Sequence, residues 1–202
     1  MAVMTPWGYE VTATADGQAL DALPPIVGLP QFRELVPDLS STDERVGLVL
    51  ASASAAVRDW CGWHVGPTLS CEFVGDGEGR SLVLPLMGLR SVTSVLVSGV
   101  ELDPSVYEWR QSGLVRLAHG TFPDAWRSVT VRCVAGHDSD ALAQVVAQLA
   151  ANALVAAPGV AEEHAGGVGI TYNRTGDGVT GGVRLLASDR EALAPYRIAR
   201  AW

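Results

Sequence analysis

Over residues 41–61, apolar positions recur at helical spacing, with Val46, Val49, Leu50, Ala53, Val57 and Trp60 on one face. Ser41 followed by Glu44 makes a capping box at the start of this pattern, Asp43 adds charge to the first turn, and Gly62 stops it. A second stripe, Leu142, Val145, Val146, Leu149, Ala153 and Leu154, predicts a helix over about 139–157. It is opened by Asp138-Ser139-Asp140 and closed by Pro158-Gly159. Between the two helices, from about residue 68, apolar residues alternate with polar ones. Strands are expected at 69–74, 81–84, 92–97, 107–110, 114–117 and 128–134. In the last of these, Val129, Val131 and Cys133 share one face, with Thr130 and Arg132 on the other. Ser98-Gly99 and Gln111-Ser112-Gly113 fall where hairpin turns belong. Short strands in sequence predict a small antiparallel meander or half-open barrel.

The flanks read differently. Residues 1–37, punctuated by Pro24-Pro25, Gly28, Pro30 and Pro37, predict a loosely structured, proline-rich arm with one helical turn near 31–36. Residues 164–182 hold seven glycines and few large side chains, so a flexible loop ordered by a partner is expected. A second capping box, Ser188 to Glu191, predicts a tail helix over 188–200 carrying Leu193, Tyr196 and Ile198. The fold class expected is α+β: a small α-helical bundle with an inserted antiparallel β subdomain (about 68–135), a Gly-rich loop and a C-terminal helix. The arm is residues 1–37, and residues 38–202 form the domain proper.

Composition narrows the function more than the fold. The 202 residues carry 14 arginines and no lysine against 22 acidic residues, a net charge of −8. No third of the chain is basic, which argues against holding nucleic acid by counterion release. No run is long and apolar enough to span a bilayer, and residues 1–25 lack the apolar core of a secretory signal. Cys61, Cys71 and Cys133 cannot all pair within one chain, so reduced thiols and an intracellular setting are expected.

Each candidate for chemistry has a plainer explanation. Cys61-x-x-His64 with Cys133-x-x-x-His137 offers two thiols and two imidazoles for zinc. The spacing of each half is atypical, and both cysteines lie on apolar stripes where a thiol packs as a small hydrophobe. Gly176-x-Gly178-x-x-Gly181 matches a dinucleotide fingerprint, but the next helix cap lies seven residues beyond it. The run His137-Asp138-Ser139-Asp140 reads as helix-capping chemistry rather than a triad, and no nucleophile elbow is present. His119 and His164 lie in expected loops, and Asn173-Arg174-Thr175 has meaning as a glycosylation sequon only on a secreted chain. No catalytic residue, cofactor or metal site is therefore assigned. Of the six tryptophans, Trp60 and Trp109 suit a core, whereas Trp7, Trp63 and Trp202 lie near termini or loops, where aromatics mark contact surfaces.

The order of these segments resembles the head–tail connector (head-completion adaptor) proteins of long-tailed double-stranded DNA phages. Residues 53–63, ASAAVRDWCGW, look like that family's first core helix with its closing aromatic-Cys-Gly step. Leu84-Pro85-Leu86 followed by Val92-Thr93-Ser94-Val95 resembles its proline-then-valine strand. Gly113-Leu114-Val115-Arg116, and then residues 129–137 closing in Ala135-Gly136-His137, resemble its final strands. Residues 188–197, SDREALAPYR, match the tail helix of actinobacterial phage members. The likeness covers about 40–200, and the long N-terminal arm departs from it.

The resemblance implies a structural virion protein of the neck, made in the host cytoplasm, with no enzyme activity. It implies a homo-oligomeric ring, twelvefold, beneath the portal protein. That ring would extend the DNA channel, let the genome pass without specific binding, and dock a downstream stopper or tail protein. The contact residues expected on this reading are Trp63, Tyr172, Arg174, Tyr196, Arg197 and Trp202. The alternatives are another neck protein, a stopper or tail-completion protein that would be mostly β, or a small zinc-dependent enzyme.

Overall fold

In the computed structural model of the chain, residues 2–12, 14–15, 18–19, 21–37, 39, 45–155, 162–165, 168–171 and 183–198 are described. Strands β1 (Ala2–Met4) and β2 (Tyr9–Thr12) come first, then a minimal hairpin of β3 (Thr14–Ala15) and β4 (Gln18–Ala19). Helices α1 (Leu29–Leu35) and α2 (Arg45–Cys61) follow. Next come β5 (Leu69–Gly77), β6 (Ser81–Val83), β7 (Leu89–Val97), β8 (Val100–Glu101), β9 (Tyr107–Arg110), β10 (Leu114–Leu117) and β11 (Ala125–Ala135). Helix α3 (Asp140–Val155), a hairpin of β12 (Glu162–Ala165) and β13 (Val168–Thr171), and helix α4 (Ala187–Leu193) complete the order. The fold is α+β, with every strand pair among the described residues antiparallel.

Two compact units divide the chain. One holds Met1–Pro24, Cys61–Asp138 and Tyr196–Trp202, and the other holds Pro25–Trp60 and Ser139–Pro195. The first unit is built on a six-stranded sheet in the order β1-β2-β5-β11-β7-β8 and a three-stranded sheet in the order β6-β10-β9. A meander would pair each strand with the next, yet β11 lies between β5 and β7. The reason is apolar content: Val129, Val131, Cys133 and Ala135 are all buried along one face of β11, so it belongs at the centre. Register stacks Tyr9, Phe73, Val131 and Val95 in one row across four strands, and Val11, Cys71, Cys133 and Val92 in another. Burying each large apolar side chain contributes roughly 1.5–3 kcal/mol.

The N-terminal arm is not loose over its first segment. Residues 2–12 form β1 and β2, and β2 extends the sheet with Tyr9 and Val11 fully buried. Its strand pattern is only four residues long, too short to stand out beside the prolines that follow. The hairpin joining β7 to β8 has the expected turn, with Ser98 (φ 50°) and Gly99 (φ 81°) both left-handed.

The second unit holds the helices together with the β12–β13 hairpin. In α2, Val46, Leu50, Ala53 and Val57 are buried, as are Leu142, Val146 and Leu149 of α3. Pro30 sits in the first turn of α1, where no backbone N–H is needed, and Phe32 is the buried residue of that helix. Ser54 Oγ ties the segment before α1 to α2 by accepting from Ile26 N at 2.9 Å while donating to Leu50 O at 2.7 Å. Helix α3 touches both α1 and α4. Ser139 caps α3, its Oγ accepting from Leu142 N at 3.1 Å. Helix α4 begins one residue before the expected cap, and Asp189 Oδ2 accepts the Leu186 N–H at 2.8 Å in place of a Ser188–Glu191 box. The helix ends at Leu193 in a 3-10 turn, because Pro195 cannot continue it. Residues 41–44 of the first capping box lie outside the described residues, as does Pro158-Gly159. Among the described residues, no helix is long and apolar enough to cross a membrane.

Candidate functional site

Helix α2 ends at Cys61, and Gly62 takes the left-handed conformation (φ 82°) that closes a helix. The next two side chains, Trp63 and His64, are fully buried. His64 Nε2 lies 3.0 Å from Ala135 O, and a carbonyl only accepts, so Nε2 carries the proton. Its Nδ1 therefore accepts from Tyr9 Oη at 2.8 Å, and Tyr9 Oη in turn accepts from the His64 backbone N–H at 3.0 Å. A neutral imidazole is fully satisfied in this arrangement, and neither nitrogen is open to a metal.

The ring contacts continue outward from this pair. Trp63 stands edge-on to His64 (centroids 5.1 Å) and to His137 (5.6 Å), and His137 is edge-on to Tyr196 (5.0 Å). On the other side, Tyr9 meets Trp7 at 6.4 Å. The Trp63 indole N–H donates to Tyr196 O at 2.7 Å, and Ile198 N donates to Cys61 O at 3.0 Å. These contacts fasten Tyr196–Ile198 to the sheet-built unit. Val65, a β-branched residue at φ 59°, is strained by roughly 1–3 kcal/mol and is held there by His137 N donating to Val65 O at 2.7 Å.

Electrostatics follow from the packing. Burial, joined by the nearby Arg90 charge, holds His137 below the ordinary histidine value, against a weaker opposing pull from Asp138. At Asp138 partial burial pushes upward, but hydrogen bonds from Thr68 N (2.9 Å) and Thr68 Oγ1 (2.5 Å), with Arg90, hold the carboxyl below 3.8. Burial pushes the Cys61 thiol up to about 12, with Arg197 pulling partway back. Cys71 and Cys133 face each other in register across β5 and β11, and the thiol–thiol hydrogen bond together with burial pushes Cys71 up strongly. The four zinc candidates thus occupy separate packing roles. Among the described residues no group of three His, Cys, Asp or Glu side chains could hold a metal ion.

Three of the six contact residues expected from the sequence are brought together here. Trp63 is not on a surface: its indole is wholly buried and satisfied by Tyr196 O. Proximity to a helix end put it in a loop by sequence, but the turn at Gly62 directs it inward. Tyr196 is half-buried on His137, and Arg197 is exposed beside it. Tyr172, Arg174 and Trp202 lie outside the described residues, as does the Gly176–Gly181 motif.

Sequence reasoning missed Tyr9 as the partner of His64 and His137 as a partner of Trp63, because their separations in the chain carry no local signal. It also gave Trp126 no role, yet Trp126 is 90% exposed at the start of β11. There the strand bulges: Arg127 is left-handed (φ 50°), its N–H donates to Asp76 Oδ1 at 2.7 Å, and Ser128 Oγ donates to Ala125 O at 2.8 Å. Trp109, a core candidate by sequence, is 39% exposed in a groove of about 260 Å³ on the three-stranded sheet.

No family model matches the chain, and no curated protein matches it. Solved structures do share its fold. A chain from the neck of the native gene transfer agent (GTA) particle, computed with C12 symmetry, superposes with a TM-score of 0.58 at 15% identity. That match covers 90% of this chain and 94% of the other. A chain from the virion of the native GTA particle gives 0.57 at 16% identity, with coverages of 90% and 94%. A chain from the neck of the empty particle, computed with C6 symmetry, gives 0.53 at 18% identity, with coverages of 90% and 95%.

Proposed function

We propose that the chain is a structural protein in the neck of a phage-like particle, and within it a head–tail connector without enzyme activity. In this role it forms a ring beneath the portal, prolongs the DNA channel and docks the next neck or tail protein. One observation carries the reading: the whole-chain likeness, over 90% of the residues, to chains from GTA necks. The segment order that resembles phage connectors points the same way independently. A ring of twelve copies is supported by that resemblance and by the C12 symmetry of one neighbouring neck.

Charge is consistent with this role. A channel that gripped phosphate would retard the genome, and a chain of net charge −8 without lysine suits a lumen that DNA passes freely. The tail fastened at Tyr196 presents Arg197 at the surface, where we place one of the two unlike patches that a head-to-tail ring requires.

An early stop codon in the gene, followed by negative-stain microscopy of lysates, tests the proposal. The expected result is heads and complete tails that never join, with poorly retained DNA. Normal infectious particles from the stop-codon phage would refute the neck role. Joined particles that lack only DNA retention would shift the assignment to another head-completion protein.

A further inference from the structure

We propose that Trp126 of one copy seats in the three-stranded-sheet groove of a second copy of this chain. The inference rests on the ring reading above and names the contact by which the ring closes. Trp126 is held out in water on a braced bulge: Asp76 and Ser128 fix the backbone on either side of it, and Gly77 beneath has no room for a Cβ against Pro123 O and Ser128 Oγ. An aromatic side chain 90% exposed and rigidly presented is a contact feature waiting for a partner.

The groove is its chemical complement. Its volume of about 260 Å³ has room for an indole, and its lining sets Arg110 and Arg116 beside Trp109, Leu114 and Glu108. Two guanidiniums offer cation–π contact to the indole face, and the Glu108 carboxylate can accept the indole N–H. Asp124, exposed two residues before Trp126, brings negative charge toward those arginines. Trp126 is no part of its own chain's groove, so knob and groove are unlike patches on one unit. Repeating one unlike contact from copy to copy is how a ring closes, which favours a second copy over a different protein as the occupant.

The test places a photo-crosslinking benzoylphenylalanine at position 126 of the full chain, in assembled particles. Irradiation is followed by gel electrophoresis and peptide mapping. The expected product is a band at twice the monomer mass, joined between position 126 and residues 108–116, and lost when Arg116→Glu is added. Far-UV circular dichroism of both variants checks folding. Crosslinks to a different protein, self-crosslinks outside the groove, or no crosslink in particles that contain the chain would overturn the contact while leaving the neck role standing. Wild-type particles that never contain the chain would overturn the neck role, and the contact with it.

Discussion

Two aromatic-rich regions of the sheet-built unit use tryptophan in opposite ways. Around Trp63, the six rings of Trp7, Tyr9, His64, Trp63, His137 and Tyr196 touch in series, and the polar groups of Trp63, Tyr9 and His64 find partners inside the chain. Around Trp126 and the Trp109 groove, the aromatic surface is left in water on rigid strands. The difference teaches that aromatic residues near loops and termini do not mark contact surfaces by themselves. What separates the two regions is the fate of the indole, since a satisfied buried N–H contributes to stability and an exposed ring adds little to it.

The sharpest way to break that contrast is Trp63→Ala. Removing a fully buried indole from between His64 and His137 is expected to lower stability by about 3–5 kcal/mol, read as a shift in the urea midpoint. A loss below about 1 kcal/mol, within the range of an ordinary surface change, would mean that the cluster does not anchor the fold. Next is Tyr9→Phe, which strips His64 Nδ1 and the His64 N–H of their shared partner. The expected loss is about 1–3 kcal/mol, the penalty for buried polar groups left unpaired. An unchanged midpoint would mean that the Tyr9–His64 hydrogen bonds do not hold this buried pair in place.

Acid gives a third test. His137 is held below its ordinary value of 6.5 in the folded chain, so the unfolded chain takes up its proton first. Stability from this group is complete above pH 6.5 and falls as the pH drops below it, whereas the Asp138 contribution is lost only below about 3.8. Thermal melts across this range should show a smaller loss in His137→Gln than in the wild type. Parallel profiles for the two proteins would remove His137 as the cause.

How much of this was legible in the sequence depends on distance along the chain. Strands 107–110 and 114–117 and the buried face of β11 follow from alternation within a single segment, and the Ser98-Gly99 turn follows from two adjacent residues. The insertion of β11 between β5 and β7, and the docking of β2 on β5, depend on pairings far apart in sequence, which no local period encodes. The site divides in the same way. Tyr196 and Arg197 were found because a tail motif carries them, but the Tyr9–His64–Ala135 chain joins three separate segments. Trp126 sits in a strand whose alternation breaks at a bulge, so its exposure could not be inferred from its neighbours.

The smallest expected effect on stability is the most informative for function. Trp126→Ala should leave the unfolding midpoint within about 0.5 kcal/mol of wild type, as for an exposed side chain, yet reduce the yield of joined particles. A destabilised Trp126→Ala protein would place Trp126 with Trp63 and dissolve the contrast between the regions.

A cryo-electron microscopy reconstruction of the neck of the particle that encodes this chain tests the central claim most directly. The account predicts a ring of this fold around the DNA channel between portal and tail, with each Trp126 against the Arg110 and Arg116 groove of the adjacent copy. A neck whose density is fully explained by other chains, with no ring of this α+β fold, would contradict it.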